Sequence, residues 1–369
     1  MRRIIINADD LGLTEGVNRG ILDCWRRGIV TSTTAMVSGT AFGDAIACLK
    51  QALPGPDSSG PKRAGSPPSA FWQSKVGEGG NGTVPAIANS SDFRIRSQAP
   101  QVQSAQIPSA QVQSEATVSV AAVGQGAEIP AAQPIGVGCH IVLVDGAPVL
   151  PVEQISTLVD TRSGRFRPSF GTFACAALSG RLEARQIEAE ATAQIRRLLQ
   201  TGVSVTHIDA HKHVHMLPGV LRPVLRAAGA CKIRAVRNPF APARPLPYAQ
   251  LLRRPFLWKR LAEVMLLRFL WCSEFRRAVA ESGMRTTDGT LGIVVTGEMD
   301  AALLQAIADG VPDGTWELCC HPGYNDSELG RAGTRLLASR ERELELMTSG
   351  FARDLLARQG VELITYRDL

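Results

Sequence analysis

The sequence has 369 residues, of which 44% are hydrophobic, 20% charged and 5% aromatic. This composition excludes a chain that is disordered, collagenous or coiled-coil as a whole, and the length allows two domains or one domain of barrel size. The net charge of +6 at pH 7 is compatible with a nucleic-acid or membrane-surface partner, or simply with a basic enzyme.

Cysteine usage and the N-terminus indicate the compartment. The eight cysteines are scattered without a CxxC pair, which favours free thiols in a reducing compartment over a disulfide framework. The start MRRIIINADD cannot form a signal-peptide core, because two aspartates closely follow the three isoleucines. The sequence also lacks a run of about 18 apolar residues that would predict a spanning helix. We therefore expect a cytoplasmic protein.

The stretch 54–133 differs in composition from the rest of the chain. It is rich in Ser, Pro, Gln, Ala and Gly, and it repeats QVQS at Gln101–Ser104 and Gln111–Ser114. Such a stretch buries too little apolar surface to offset the conformational entropy lost on ordering. We predict that 54–133 is a long disordered insertion within a single domain formed by 1–53 and 134–369.

The remaining residues alternate between strand-like and helix-like patterns. Strands are predicted at 3–8, 29–37, 136–144, 203–209, 233–236, 291–296, 316–320 and 361–365. Helices are predicted from the N-cap Thr14 to Gly28, at 42–53 and at 183–200. This alternation implies a parallel sheet with helices outside. We predict an α/β fold, a variant (β/α) barrel of seven or eight parallel strands, with a doubly wound open sheet as the alternative.

Carboxylates and imidazoles follow several of the predicted strands. Asp9 and Asp10 end the first strand, His140 lies in the third, His211 follows the fourth, and His321 follows the strand that begins at Trp316. The C-terminal ends of parallel strands meet at one rim. Imidazole and carboxylate together suit a divalent metal ion. The sequence therefore predicts a metal or acid–base site at this rim.

The local patterns leave alternatives open. In an extended chain Asp209 and His211 point to the same side, so the carboxylate could orient an imidazole ligand. The histidine-rich segment could instead be a solvated loop, and the two adjacent aspartates could form a simple turn. His140 could be a core histidine, and His321 a ligand, a general acid or a structural cap.

The segment 232–286 is strongly basic, with twelve Lys or Arg against three Glu. Its interleaved Phe, Leu and Trp residues fit either solvated outer helices or a face that lies on anionic lipid. Nucleic-acid binding is not favoured, because no nucleic-acid motif accompanies the charge.

Five motifs carry a resemblance to a known family. IIINADDLGLTEGVNRGI, GIVTSTTAMVSG, GCHIVLV, THIDAHKHVHMLP and CCHPGY together resemble the YdjC-like carbohydrate deacetylases. The resemblance implies a barrel related to polysaccharide deacetylases, and an enzyme that removes acetyl groups from N-acetylated sugars with one divalent metal ion. It implies Asp10, His140 and His211 as metal ligands, Asp9 as the base and His321 as the acid. It favours Mg²⁺, while the donor set also suits Zn²⁺ or Mn²⁺.

A finer resemblance concerns the substrate. GCHIVLVDGAPVLP followed by LVDTRSGRF is similar to the subgroup associated with hopanoid biosynthesis, which acts on an N-acetylglucosaminyl lipid. We expect Asp209, His207, Arg237 and Tyr324 to support the ligands or to contact substrate. The alternatives are a soluble chito-oligosaccharide deacetylase, a metal-dependent sugar isomerase or phosphodiesterase on the same barrel, and a non-enzymatic glycolipid-binding scaffold. A place at the inner membrane face and an oligomeric state are left open.

Overall fold

The structure is a computed structural model that describes residues 1–52 and 134–369. Within these residues there are nine strands: β1 (Arg2–Leu11), β2 (Ser32–Ala35), β3 (Gly136–Ile141), β4 (Val159–Asp160), β5 (Arg165–Phe166), β6 (Val205–Ala210), β7 (Gly289–Leu291), β8 (Gly314–Cys320) and β9 (Val361–Leu363). The strands β4 and β5 form a separate antiparallel pair. The other seven form one parallel sheet in the order β6-β3-β2-β1-β8-β7, and β9 pairs with β1.

Helices separate most of the strands. In the described residues they are α1 (Glu15–Arg27), α2 (Phe42–Ala52), α3 (Phe170–Leu178), α4 (Ala184–Leu199), α5 (Pro218–Ala230), α6 (Tyr248–Arg253), α7 (Leu257–Ser282), α8 (Ala301–Asp309), α9 (Ser327–Arg331), α10 (Ala338–Thr348) and α11 (Gly350–Arg358). Among these helices we find none with the length and apolar character needed to cross a membrane.

The central strand is β1, whose sequence RRIIINADDL is buried from its third residue onward. It pairs along most of its length with β8, where Ile4 lies opposite Trp316, and its second half pairs with β2, where Asn7 lies opposite Ser32. A strand that is covered on both faces needs a continuous apolar run, which the three isoleucines provide.

An irregular segment joins the two edges of the sheet. The strand predicted at 233–236 is reduced to isolated bridges, one of them between Val236 and Ile208 of β6. Further along this segment, the carbonyl of Phe240 accepts the N–H of Thr290 of β7 at 2.9 Å. The segment thus hydrogen-bonds to both edge strands and lies where a regular barrel would have one more strand. The prediction of a variant (β/α) barrel is confirmed.

Local signals at the helix ends are also borne out. The Thr14 hydroxyl accepts the N–H of Val17 at 3.2 Å and caps the N-terminus of α1, and Gly28 is the C-cap of the same helix. The helix predicted at 183–200 is α4. The predicted insertion at 54–133 lies outside the described residues, so the division into one domain and an insertion stays a prediction.

Candidate metal centre and active site

The end of β1 supplies two adjacent carboxylates to one pocket. The backbone of Asp10 is left-handed, with φ of 72°, and the register between β1 and β2 shifts between Ala8 and Leu11. Regular strand geometry would send neighbouring side chains to opposite faces. With this irregularity, oxygens of both Asp9 and Asp10 lie within 4.8 Å of ring nitrogens of His140.

Asp10, His140 and His211 each bring one possible metal-ligand atom to the same place. The Nε2 atom of His140 lies 3.3 Å from Nδ1 of His211 and 3.5 Å from Oδ1 of Asp10, and His211 Nδ1 lies 3.7 Å from the same oxygen. Ligands about 2.1 Å from one ion are separated by roughly 3.0–3.4 Å, so this triangle is close to the size that a small divalent cation needs. The set of two imidazoles and one carboxylate fits such an ion.

Asp209 and Thr34 fix the orientation of the His140 ring through its Nδ1 atom. Its Nδ1 lies 2.8 Å from Oδ1 of Asp209 and 3.2 Å from the hydroxyl of Thr34. Burial lowers the pKa of His140, but the charge and hydrogen bond of Asp209 outweigh it and raise that pKa to about 9. A carboxylate in this position holds the ring so that Nε2 faces the cluster. Cation binding at Nε2 therefore requires release of a proton.

The second carboxylate, Asp9, is paired with Arg237. The guanidinium Nη1 and Nη2 donate to Oδ2 and Oδ1 of Asp9 at 2.7 and 2.6 Å. Burial disfavours the ionised carboxylate, yet the Arg237 charge and hydrogen bonds hold the pKa of Asp9 well below its usual range. The Asn7 amide also donates to Asp9 Oδ1 at 2.8 Å. Asp9 is therefore ionised at neutral pH.

Arg237 is the centre of a buried charge network. Besides Asp9, it contacts Asp209 Oδ2 through Nη1 at 2.5 Å and Glu317 Oε1 through Nε at 2.8 Å. The other oxygen of Glu317 accepts the hydroxyl of Tyr366 at 2.5 Å. One guanidinium thus contacts three buried carboxylates at the base of the pocket.

Helix α10 adds two charged residues to the rim. Arg340 donates through Nη2 to Oδ2 of Asp10 at 2.5 Å, which leaves Oδ1 facing the imidazoles. Burial opposes ionisation of Asp10, but the Arg340 charge helps to hold its pKa well below the usual range. Glu343 accepts the backbone N–H of His321 at 2.6 Å. Neither helix residue belongs to a motif that predicts a site from the sequence.

His321 and Cys319 flank Asp9 on the other side. Nε2 of His321 lies 3.9 Å from Oδ2 of Asp9, and Cys319 Sγ lies 3.3 Å from the same oxygen. Burial outweighs the nearby carboxylates and lowers the pKa of His321, so its imidazole is neutral at pH 7. Burial, together with Asp9, raises the pKa of the Cys319 thiol well above its usual range. The thiol is therefore a neutral donor to Asp9.

The other two predicted residues, His207 and Tyr324, have other surroundings, as does His215 of the histidine-rich segment. The His207 ring lies deeper in the barrel and stacks on Tyr366, with ring centroids 3.6 Å apart. His215 Nε2 lies 3.1 Å from the carbonyl of Arg237. The Tyr324 hydroxyl donates to Asp23 of α1 at 2.7 Å, so its only donor proton is already used. The structure thus joins Asp9, Asp10, Asp209, Arg237, His140, His211 and His321 in one cluster.

The fold and this cluster define an α/β protein of the (β/α) barrel type with a carboxylate–imidazole centre at the C-terminal rim of its sheet. More particularly, the chain belongs to the family described as YdjC-like protein, whose model matches residues 3–62 and 101–358.

Two bacterial relatives align over the full chain. A carbohydrate deacetylase of Geobacillus stearothermophilus is 25% identical over 367 residues, covering 100% of this chain and 98% of the relative. A chitooligosaccharide deacetylase of Klebsiella pneumoniae is 25% identical over 370 residues, covering 100% and 99%.

A mammalian relative and a solved structure extend the comparison. A carbohydrate deacetylase of Mus musculus is 30% identical over 274 residues, covering 68% of this chain and 84% of the relative. The solved structure is a protein of Enterococcus faecalis V583 whose name proposes cellobiose-phosphate cleavage. It aligns with a TM-score of 0.64 at 20% identity over 100% of this chain and 98% of its own, and it supports the fold alone.

Proposed function

We propose that the protein is a metal-dependent deacetylase that hydrolyses the acetamide of an N-acetylated sugar. The observation that carries this proposal is the triangle of Asp10, His140 and His211 beside a second, ionised carboxylate, Asp9. Relatives named carbohydrate deacetylase and chitooligosaccharide deacetylase support a hydrolase of carbon–nitrogen bonds other than peptide bonds, and hence an enzyme.

We assign the metal ligands from the donor set. Oδ1 of Asp10 and the facing nitrogens of His140 and His211 would hold one divalent cation. Such a cation supplies Lewis-acid polarisation of the acetyl carbonyl and lowers the pKa of a water molecule. Mg²⁺, Mn²⁺ and Zn²⁺ are the ions to test, since the ligands include both hard and borderline donors.

Proton transfer falls to the residues beside the triangle. Asp9, held ionised by Arg237, takes the proton of the attacking water as the new carbon–oxygen bond forms. His321 gives a proton to the sugar nitrogen as the carbon–nitrogen bond breaks. Because the free imidazole is neutral, the proton that it delivers is one that it gains during turnover, and Asp9 lies 3.9 Å away as its source.

The substrate that we propose is an N-acetylglucosaminyl glycan or glycolipid, with a hopanoid glycolipid as the finer assignment. We propose a cytoplasmic location at the inner membrane face. A soluble chito-oligosaccharide is the competing substrate. A sugar isomerase or phosphodiesterase would usually need more carboxylate ligands or a second metal ion. A glycolipid-binding scaffold would purify without metal and would be indifferent to chelator.

Acetate release is the direct test. The purified protein is incubated with a panel of N-acetylglucosaminyl substrates, soluble and lipid-linked, with and without EDTA. We expect acetate from at least one substrate, its loss in EDTA, and its return when one of the three cations is added in excess. Release that persists in EDTA would exclude the metal-dependent mechanism, and no release from any substrate would exclude the deacetylase.

A further inference from the structure

Most of the large exposed apolar side chains of the described residues lie in one short stretch. Seven of eleven fall between residues 248 and 270, and we call them the α6–α7 apolar surface. Its members are Tyr248, Leu252, Phe256, Trp258, Leu266, Phe269 and Leu270. Phe269 is 84% exposed and Tyr248 is 76% exposed. Concentrated exposure of this kind on a folded protein marks an interaction site.

The surface is not a by-product of core packing in α7. The inner face of this helix is already buried through residues such as Leu257 and Phe275, while Leu266 and Phe269 point outward. After Cys272 the exposed residues of the same helix are polar or charged, apart from the small Ala280. The polar and charged ones are Ser273, Arg276, Arg277, Glu281 and Ser282. The apolar character of the outer face is therefore confined to the first half of α7.

Positive charge surrounds the apolar side chains. Residues 244–270 contain six Arg or Lys and one acidic residue, Glu263. Of the basic side chains, Arg244, Arg253 and Lys259 are exposed. Large apolar groups mixed with Arg and Lys are typical of segments that lie in the interface of an anionic bilayer.

Two arginines anchor this part of the chain to the active-site end of the barrel. Arg260 donates to the carbonyl of Thr296 at 2.6 Å, and Arg254 donates to Asp300 at 2.5 Å. Both acceptors lie after the C-terminal end of β7 and before α8, which is the side of the sheet where the Asp–His cluster lies.

We infer that the α6–α7 apolar surface docks on an anionic lipid bilayer and brings the rim of the barrel to membrane-borne substrate. The second part of this inference rests on the proposed deacetylase function, and the docking does not. A second copy of the chain fits this surface less well. In a twofold dimer the same basic surface of both copies would face itself, and the like charges would repel.

Vesicle flotation tests the docking. The full-length protein is mixed with vesicles of phosphatidylcholine alone, or of an equimolar mixture of phosphatidylcholine and phosphatidylglycerol. We expect flotation with the mixed vesicles and a loss of at least about tenfold in the double variant Leu266→Asp/Phe269→Asp, because both side chains would enter the apolar layer. Phe351→Asp, an exposed phenylalanine on α11, is the matched control and should float like the wild type.

Charge reversal tests the electrostatic part separately. Removal of each Lys or Arg from a bilayer surface lowers binding by about fivefold, and reversal lowers it further. Arg253→Glu/Lys259→Glu should therefore lose at least about 25-fold, and added salt should weaken the wild type. Arg353→Glu, an exposed arginine on α11, is the control. Equal flotation of wild type and both double variants would overturn the inference.

The remaining outcomes separate docking from catalysis. We expect the docking variants to keep wild-type kcat/KM on a soluble N-acetylglucosaminyl substrate and to lose it on an N-acetylglucosaminyl dialkylglycerol embedded in the mixed vesicles. Wild-type protein that does not float would overturn the docking, whatever its activity. Flotation without acetate release from any substrate would leave the docking intact and exclude the deacetylase. A dimer in sedimentation velocity that Leu266→Asp/Phe269→Asp abolishes, without vesicle binding, would make a second copy the occupant.

Discussion

Asp9 and Arg237 form a buried bidentate pair, with both oxygens of the carboxylate engaged at 2.6–2.7 Å. The same guanidinium also contacts Asp209 and Glu317. Planar, five-donor geometry is specific to arginine, and a lysine ammonium cannot satisfy three carboxylates in this arrangement. The pair therefore joins the ionisation of the proposed base to the stability of the barrel interior.

Replacement of Arg237 is expected to destabilise the protein strongly. Arg237→Gln leaves three buried carboxylates without their cation, which costs about 3–5 kcal/mol in the free energy of unfolding. Arg237→Lys should fall between the wild type and Arg237→Gln. Urea unfolding measures this change. The control is Arg222→Gln, which breaks exposed pairs with Glu274 and Glu281 and should change the free energy of unfolding little, because water and salt screen exposed pairs. A loss as small as this in Arg237→Gln would contradict the network.

The roles of the proposed base and of the ligand triangle are separable by experiment. Asp9→Asn should lower kcat by about 10²–10⁴-fold and retain bound metal, because the proposed base is lost while the ligand triangle remains. His211→Ala should lose both turnover and metal. Metal content by atomic emission and acetate release measure the two effects, with Asp313→Asn on the exposed surface as control. Near-normal turnover in Asp9→Asn would refute its assignment as the base.

The sequence predicts the elements that have strong local signals. The run of isoleucines in β1, the Thr14 cap of α1 and the rim position of His140 and His211 follow from periodicity and from parallel strand geometry. The strand predicted at 233–236 is short and irregular in the structure. The prolines that follow it closely, Pro239 and Pro242, lack the N–H that a regular strand ladder requires.

Three residues of the site, Arg340, Glu343 and Glu317, are not predicted from the sequence, because their neighbours resemble those of ordinary surface or core residues. Arg340 and Glu343 lie in ASRERELELMT, whose alternating charges resemble a solvated helix, yet both are buried against the rim. Glu317 lies within the apolar strand β8, and its partner Arg237 is 80 residues away in sequence. Such pairings depend on which strands and helices meet in space, and a single sequence does not carry that information.

Gly138 of β3 makes room for the His207 ring. A Cβ atom at this position would lie 2.6 Å from Cε1 and Nε2 of His207, and the ring cannot retreat because Tyr366 stacks on its other face. Gly138→Ala should therefore cost about 1–3 kcal/mol in the free energy of unfolding. Gly229→Ala in α5 has open space and should stabilise by about 0.5–1 kcal/mol. A neutral Gly138→Ala would mean that the β3–β6 contact is looser than described.

His207 makes the stability of the fold dependent on pH. Burial lowers its pKa from 6.5 to about 3, so the folded protein keeps the ring neutral where the unfolded chain binds a proton. The stability that His207 contributes is therefore fully present above pH 6.5, the pKa of this residue in the unfolded chain. It falls as the pH drops from 6.5 towards about 3, by up to about 1.4 kcal/mol per pH unit. In His207→Phe, which keeps an aromatic ring on Tyr366, the free energy of unfolding should decline less steeply across this window. Phe173→Leu, a core change without a titrating group, should lower stability equally at each pH. An unchanged slope in His207→Phe would show that His207 is protonated in the folded protein, because only a ring that stays neutral on folding makes this contribution.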